Sequence, residues 1–176
     1  MSERTPTGGH TLGVAIELAS PAREILEDAR ARFDPAPVEI PPHVTILAPI
    51  DVDADAMPAV TRHLAAVARV TSPFRLEVAG ASTFRPVTPV VFIALGAGAA
   101  ECVALESRVR SGDMAVELRY PYHPHVTIAH DVADDVLDDA LAQLSDFEFS
   151  QDVDRMGLYE NVAGRWELVQ EFVFGG

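Results

Sequence analysis

The pentapeptide Pro42-His43-Val44-Thr45-Ile46 returns unchanged as Pro124-His125-Val126-Thr127-Ile128, eighty-two residues further along the 176-residue chain. Repetition at a fixed interval signals duplicated architecture, and the surroundings of the two copies repeat as well. An apolar run, Leu12 to Leu18, and a helical pattern from Pro21 to Phe33 precede the first copy. Val90 to Leu95 and a helical pattern from Ala99 to Val109 precede the second. An acidic turn follows each copy, and then a helix, roughly Ala54 to Val70 in one half and Ala133 to Leu144 in the other. Strand-like segments close the halves, Phe74 to Ala79 and Met156 to Val162. The chain therefore reads as a single domain over 1–176, made of two pseudo-repeat lobes of about 11–85 and 86–176. Each lobe runs strand, helix, strand, helix, strand.

Local chemistry supports these elements. Ser20-Pro21 predicts a capping residue followed by proline at the first helical position, where a missing N–H costs nothing. Ile25, Leu26, Ala29 and Phe33 recur at helical spacing as the expected buried stripe, and Met57, Val60, Leu64 and Val67 do so in the next helix. Asp134 and Asp135 fall in the first turn of the last helix, where the helix dipole favours negative charge. Ala163-Gly164 separates two β-rich runs and predicts a hairpin turn. Pro35 to Pro42 reads as a stiff connector into the first repeat.

Each Val-Thr-Ile piece is short and β-branched, hence a strand. Alternation puts His43 and Thr45 on one face and Val44 and Ile46 on the other, and it pairs His125 with Thr127 in the same way. Packed about a pseudo-two-fold axis, the two His/Thr faces meet across a central cleft. Two imidazoles then flank a ligand, with two hydroxyls beside them. Phosphodiester cleavage uses such a set: one neutral imidazole takes a proton from water and one imidazolium protonates the departing sugar oxygen. The threonine hydroxyls donate to the non-bridging phosphate oxygens. The scheme needs no metal and no cofactor. His125 is assigned to water and His43 to the leaving oxygen, although near-equivalent halves leave the opposite assignment open.

Composition narrows the partners. Twenty-seven acids against thirteen bases give a net charge of −14, so an extended nucleic acid is not an expected ligand. A small cyclic nucleotide or an RNA 3′ end remains compatible, because a few local donors can outweigh the global field. All thirteen bases are arginine. Without lysine there is neither a lysine-charging ATP-dependent ligase nor a Walker P-loop. The single cysteine, Cys102, suits a reducing compartment. With a polar Met1–Gly9 and no apolar run of membrane-spanning length, the expectation is a cytoplasmic monomer without a membrane partner.

The paired His-Val-Thr-Ile segments resemble the His-x-Thr/Ser-apolar motifs of the 2H phosphoesterase superfamily, in particular its 2′-5′ RNA ligase-like branch. Ser82-Thr83-Phe84-Arg85-Pro86 and Gly164-Arg165-Trp166 are also similar to that branch, and the likeness runs from about Thr11 to Phe174. The resemblance implies a bilobal duplicated α+β fold with antiparallel-rich sheets and helices outside. It further implies hydrolysis of 2′,3′-cyclic phosphates, usually to 2′-phosphates, an activity that belongs to RNA processing. His43, Thr45, His125 and Thr127 are the residues carried over. Two other readings stay open: a binding module for phosphorylated nucleotides without turnover, and an ATP-independent, reversible 2′-5′ RNA ligase.

Other residues are weaker candidates. Arg85 and Arg119 could clamp phosphate through a bidentate fork, against a plain surface role. Tyr120 and Tyr122 could stack on a base, against packing at the lobe junction. Gly96-Ala97-Gly98 could cradle a phosphate, but a tight strand-to-helix turn explains it better. His123, His125 and His130 do not read as a metal triad, because alternation puts His130 opposite His125. His63 is expected on the solvated side of its helix and His10 ahead of the first strand. The Asp131–Asp139 run is expected to be a solvated helix face.

Overall fold

The structure, a computed structural model, describes residues 9–34 and 40–175, so most of the expected stiff connector lies outside the described residues. The first half contains β1 (His10–Glu17), α1 (Ala22–Phe33), β2 (His43–Val52), α2 (Met57–Arg69) and β3 (Phe74–Thr83). The second contains β4 (Val90–Leu95), α3 (Ala99–Val109), a 3₁₀ turn (Gly112–Met114), β5 (His125–His130) and α4 (Asp134–Gln143). It ends with β6 (Glu148–Val153), β7 (Arg155–Val162) and β8 (Arg165–Val173).

The strands form two four-stranded antiparallel sheets, ordered β2-β1-β7-β8 and β5-β4-β3-β6. The duplication is visible strand by strand: β2 corresponds to β5, β1 to β4, and β7 to β3. The closing strand of each half crosses into the other half's sheet, so the sheets cut across the sequence repeat at 85/86. The helices cross too, with α1 packed against β5 and α3 against β2. The two motif strands, each at one edge of its sheet, lie against each other.

The inner faces follow from the apolar spacing. Ala22, Leu26, Ala29 and Phe33 are the buried face of α1, while Ile25 is 49% exposed. The stripe thus starts at Ala22, because positions 22, 26, 29 and 33 share one helical face and 25 lies off it. Val60, Leu64 and Val67 are buried in α2, with Met57 partly buried at the edge of the core. Cys102 is buried in α3, where burial pushes its thiol up to about 12. Among the described residues, no helix is long and apolar enough to cross a membrane.

Several local expectations change. Pro21 occupies the cap position of α1, and the Ser20 hydroxyl donates to the Glu24 carboxylate at 2.5 Å instead of capping a backbone N–H. His10 belongs to β1 and bonds Glu160, and His63 reaches the Val109 carbonyl at 3.0 Å, tying α2 to the end of α3. β6 is a strand that the sequence pattern does not announce: it is polar, and only Val153 is buried. The hairpin after β7 matches its expectation, with Ala163 (φ 53°) and Gly164 (φ 86°) both left-handed, as a tight two-residue turn requires.

Candidate active site

The motif strands carry the same irregularity at the same place. On β1, Ala15 pairs with Thr45 and Val14 with Leu47, leaving Ile46 unpaired. On β4, Phe92 pairs with Thr127 and Val91 with Ala129, leaving Ile128 unpaired. Each is a β-bulge, which inserts one residue and shifts the phase of everything after it. Before the bulge the side chains alternate as expected: Val44, Ile46, Val126 and Ile128 are buried, whereas His43, Thr45, His125 and Thr127 are partly open. On β5 the phase inverts after the bulge, with Ala129 buried and His130 exposed. This overturns the placement of His130 on the opposite face, since His130 lines the same cavity as His43, Thr45 and Thr127.

The two motif imidazoles are held alike. His43 Nδ1 lies 2.8 Å from the Pro41 carbonyl, and His125 Nδ1 lies 2.6 Å from the His123 carbonyl. A carbonyl only accepts, so each Nδ1 carries the proton and donates. In the neutral ring, Nε2 is then left with its lone pair, the tautomer a general base needs. Burial pushes both rings below the ordinary histidine value. For His43 the Pro41 carbonyl and Glu17 oppose that shift, while Arg30 and His125 add to it. For His125 the His123 carbonyl opposes it and the His123 ring adds to it.

Their surroundings differ. His43 has Glu17 as its cross-strand partner, and Glu17 also receives the Tyr159 hydroxyl and Arg23. His125 has Ala94 opposite and sits edge-on to Phe84 and Phe92, with ring centroids 5.0 and 5.2 Å away. Phe84 and Phe92 stack at 4.1 Å and hold His123 as well.

A cavity of about 420 Å³ opens beside His43, Thr45 and Thr127. One wall is apolar and aromatic: Leu47, Pro49, Tyr159 and Trp166. Charged and titratable side chains complete the lining: Arg30 from the last turn of α1, Asp34 just after it and His130 from the end of β5. Asp34 bonds His130 Nδ1 at 2.8 Å. Arg30 donates to the Ile40 carbonyl at 2.9 Å, and burial lowers its guanidinium pKa from the usual value. Along β5 the cavity takes in Thr127, Ile128 and His130 and stops short of His125.

The weaker candidates lie elsewhere. Arg85 is clamped by Asp134 and Asp138, the latter at 2.6 Å, so its fork is occupied by α4. Arg119 covers the ring of the exposed Tyr120 at 5.3 Å, and neither lines the cavity. Tyr122 is a junction residue: its hydroxyl donates to the Thr45 carbonyl at 2.8 Å, tying the approach to one motif to the strand of the other. Gly96 to Gly98 form a turn packed on β3, where Gly96 N–H donates to Glu77 O and Ala97 O accepts from Glu77 N–H. Among the described residues, no group of three His, Cys, Asp or Glu side chains converges to hold a metal. The sequence pattern gives no site signal for Arg30, Asp34 or Tyr159, and strict alternation turns His130 away. Only Trp166 had a signal, through its Gly-Arg-Trp segment.

Comparison with known proteins agrees with this architecture. The family model described as "2'-5' RNA ligase superfamily" matches residues 18–165. A Bacillus licheniformis protein named "Putative phosphoesterase" is 30% identical over 166 residues, covering 93% of this chain and 98% of its own. The apo crystal structure of E. coli LigT superposes with a TM-score of 0.72 at 23% identity, over 97% of this chain and all of that one. LigT has also been crystallised with 3′-AMP (TM-score 0.70, 21% identity, 96% of this chain and all of that one). The chain belongs to the 2′-5′ RNA ligase superfamily and is a phosphoesterase of the 2H type.

Proposed function

We propose that this phosphoesterase hydrolyses 2′,3′-cyclic phosphates, on RNA ends or small nucleotides, to 2′-phosphates without a metal ion. The observation that carries the proposal is the matched anchoring of His43 and His125, each with Nδ1 tied to the carbonyl two residues upstream. That anchoring leaves both Nε2 atoms available for proton transfer. E. coli LigT, a fold relative, binds 3′-AMP, which fits a nucleotide-sized ligand in a cavity of about 420 Å³.

In the proposed reaction, His125 Nε2 takes a proton from water as the oxygen attacks phosphorus. The P–O3′ bond breaks, and protonated His43 delivers its proton to O3′, leaving the phosphate on O2′. Thr45 and Thr127 donate their hydroxyls to the non-bridging oxygens as charge builds there. The surroundings favour this direction. His43 has the Glu17 carboxylate across the strand pair to support an imidazolium, against burial and the Arg30 charge. Among the described residues no carboxylate acts on His125, which is enclosed by two phenyl rings and a second imidazole.

The test is turnover of the four nucleoside 2′,3′-cyclic monophosphates in EDTA. Removing one imidazole, in His43→Ala or His125→Ala, is expected to lower kcat by about 10²–10⁴. Turnover abolished by EDTA, or surviving intact in either variant, would overturn the proposal, and a 3′-phosphate product would reverse which ester bond breaks.

A further inference from the structure

Building on the cyclic phosphodiesterase reading, we infer that Arg30 is a positioning residue for His43. Through the Ile40 carbonyl it fixes the peptide whose next carbonyl holds His43 Nδ1, and so keeps the ring in the tautomer that frees Nε2.

The segment Ile40-Pro41-Pro42 leads straight into the first motif. Pro41 and Pro42 carry no N–H, so the chain is tied down here mainly through its carbonyls. Three successive carbonyls are used, each by a different donor. Arg30 Nη1, from the last turn of α1, donates to the Ile40 carbonyl at 2.9 Å. His43 Nδ1 donates to the Pro41 carbonyl at 2.8 Å. The Leu18 N–H, just past β1, donates to the Pro42 carbonyl at 2.9 Å. Each proline ring also locks its own φ near about −65°. With both neighbours pinned and two φ angles locked, little freedom is left to the direction of the Pro41 carbonyl. The Leu18 tie is backbone to backbone, so Arg30 is the side chain on which that direction depends.

The place is a costly one for a guanidinium. Arg30 stands in the wall of the cavity that His43 also lines, and burial lowers its pKa against the pull of Asp34 and Glu27. A charge so placed needs polar partners, and the Ile40 carbonyl is a direct one. The other half meets the same need with a different residue. Tyr122 precedes the His123 carbonyl that anchors His125, and the Tyr122 hydroxyl donates to the Thr45 carbonyl at 2.8 Å. In both halves, therefore, the anchoring carbonyl follows a residue that a side chain ties down.

The test reads the ring itself, in the ligand-free protein. Nitrogen NMR of the imidazoles reports which ring atom carries the proton. It is run at about pH 8, where both rings, held below the ordinary histidine value, are neutral. In the wild type, His43 and His125 are both expected to be protonated on Nδ1. Arg30→Met keeps the aliphatic stem and removes the donor. His43 is then expected to populate both tautomers while His125 stays on Nδ1. Arg30→Lys retains a donor without the planar fork and should lie between. For a nucleoside 2′,3′-cyclic monophosphate, kcat should fall about tenfold in Arg30→Met, the scale of one hydrogen bond, and recover in part in Arg30→Lys.

Three outcomes would overturn the inference: a wild-type His43 protonated on Nε2, a His43 unchanged in Arg30→Met, or both rings loosened together by that substitution. The first is read on the native chain and holds whether or not Arg30→Met folds, which circular dichroism checks. A His43 tautomer that follows Arg30 in a protein that turns over no cyclic phosphate would sink the proposed activity and leave the brace standing. Turnover with a tautomer indifferent to Arg30 would do the reverse.

Discussion

His43 and His125 share an anchoring geometry and a direction of pKa shift, and that combination predicts a pH profile. General acid–base catalysis by two imidazoles requires one neutral and one protonated ring in the free enzyme. Both rings are pushed below the ordinary value of 6.5 by burial. The acid limb of kcat/KM, where the base becomes protonated, and the alkaline limb, where the acid loses its proton, therefore both move down. A bell with its maximum below about pH 6.5 is expected from stopped assays across pH 4 to 9. A maximum at pH 8 would contradict the assignment. Tyr122 allows a second test at this scale. Tyr122→Phe deletes the bond to the Thr45 carbonyl, so a stability loss of about 1 kcal/mol is expected in urea unfolding. A lower kcat should accompany it, because Thr45 loses its brace. The imidazole pair and its threonines were legible in the sequence because the chain states them twice. Arg30 and Asp34 were not, since α1 lies against β5 of the other half and only tertiary packing brings its charged end to the cavity.

Among the elements, β4 and α3 begin and end where their apolar patterns do, because each reports its own burial locally. The bulges at Ile46 and Ile128 are invisible to such reading. Register belongs to a pair of strands, and the run Val-Thr-Ile has the same composition whether or not Ile has a partner. That is why strict alternation puts His130 on the wrong face. β6 escaped for a different reason: an edge strand with one buried residue leaves no alternation to detect. The turn before α3 carries the prediction at this scale. Gly98 has φ +88°, and a Cβ there would meet the Arg75 carbonyl oxygen at 2.7 Å. Gly98→Ala combines left-handed strain with a backbone clash, so a loss of about 2 kcal/mol or more is expected in equilibrium denaturation. An effect below 0.5 kcal/mol, on the scale of an ordinary surface change, would contradict it.

For the molecule as a whole, the net charge of −14 sets the response to salt. Its field repels an anionic substrate over a distance that shrinks as ions are added. The kcat/KM for a cyclic mononucleotide is therefore expected to rise modestly between about 10 and 150 mM salt, where the Debye length drops from about 30 to 8 Å. A protein that tracks a polyanion shows the opposite slope. Topology provides a second test. Each sheet takes its third strand from the other half, and the connection between β3 and β4 passes through an exposed Val87. Fragments cut at Val87 should be unfolded separately by circular dichroism and should regain structure and activity when mixed. A half that folded alone would contradict this.

The exchange of β3 and β7 between the sheets has a consequence for ancestry. A chain half this long, with the same elements, would have nowhere to place its closing strand except in a second copy of itself. Two such copies would interlock, each finishing the other, and their motif strands would face each other across the twofold axis. Joining them end to end would yield the present topology, and the contact between the two motif strands would then mark a former seam between subunits.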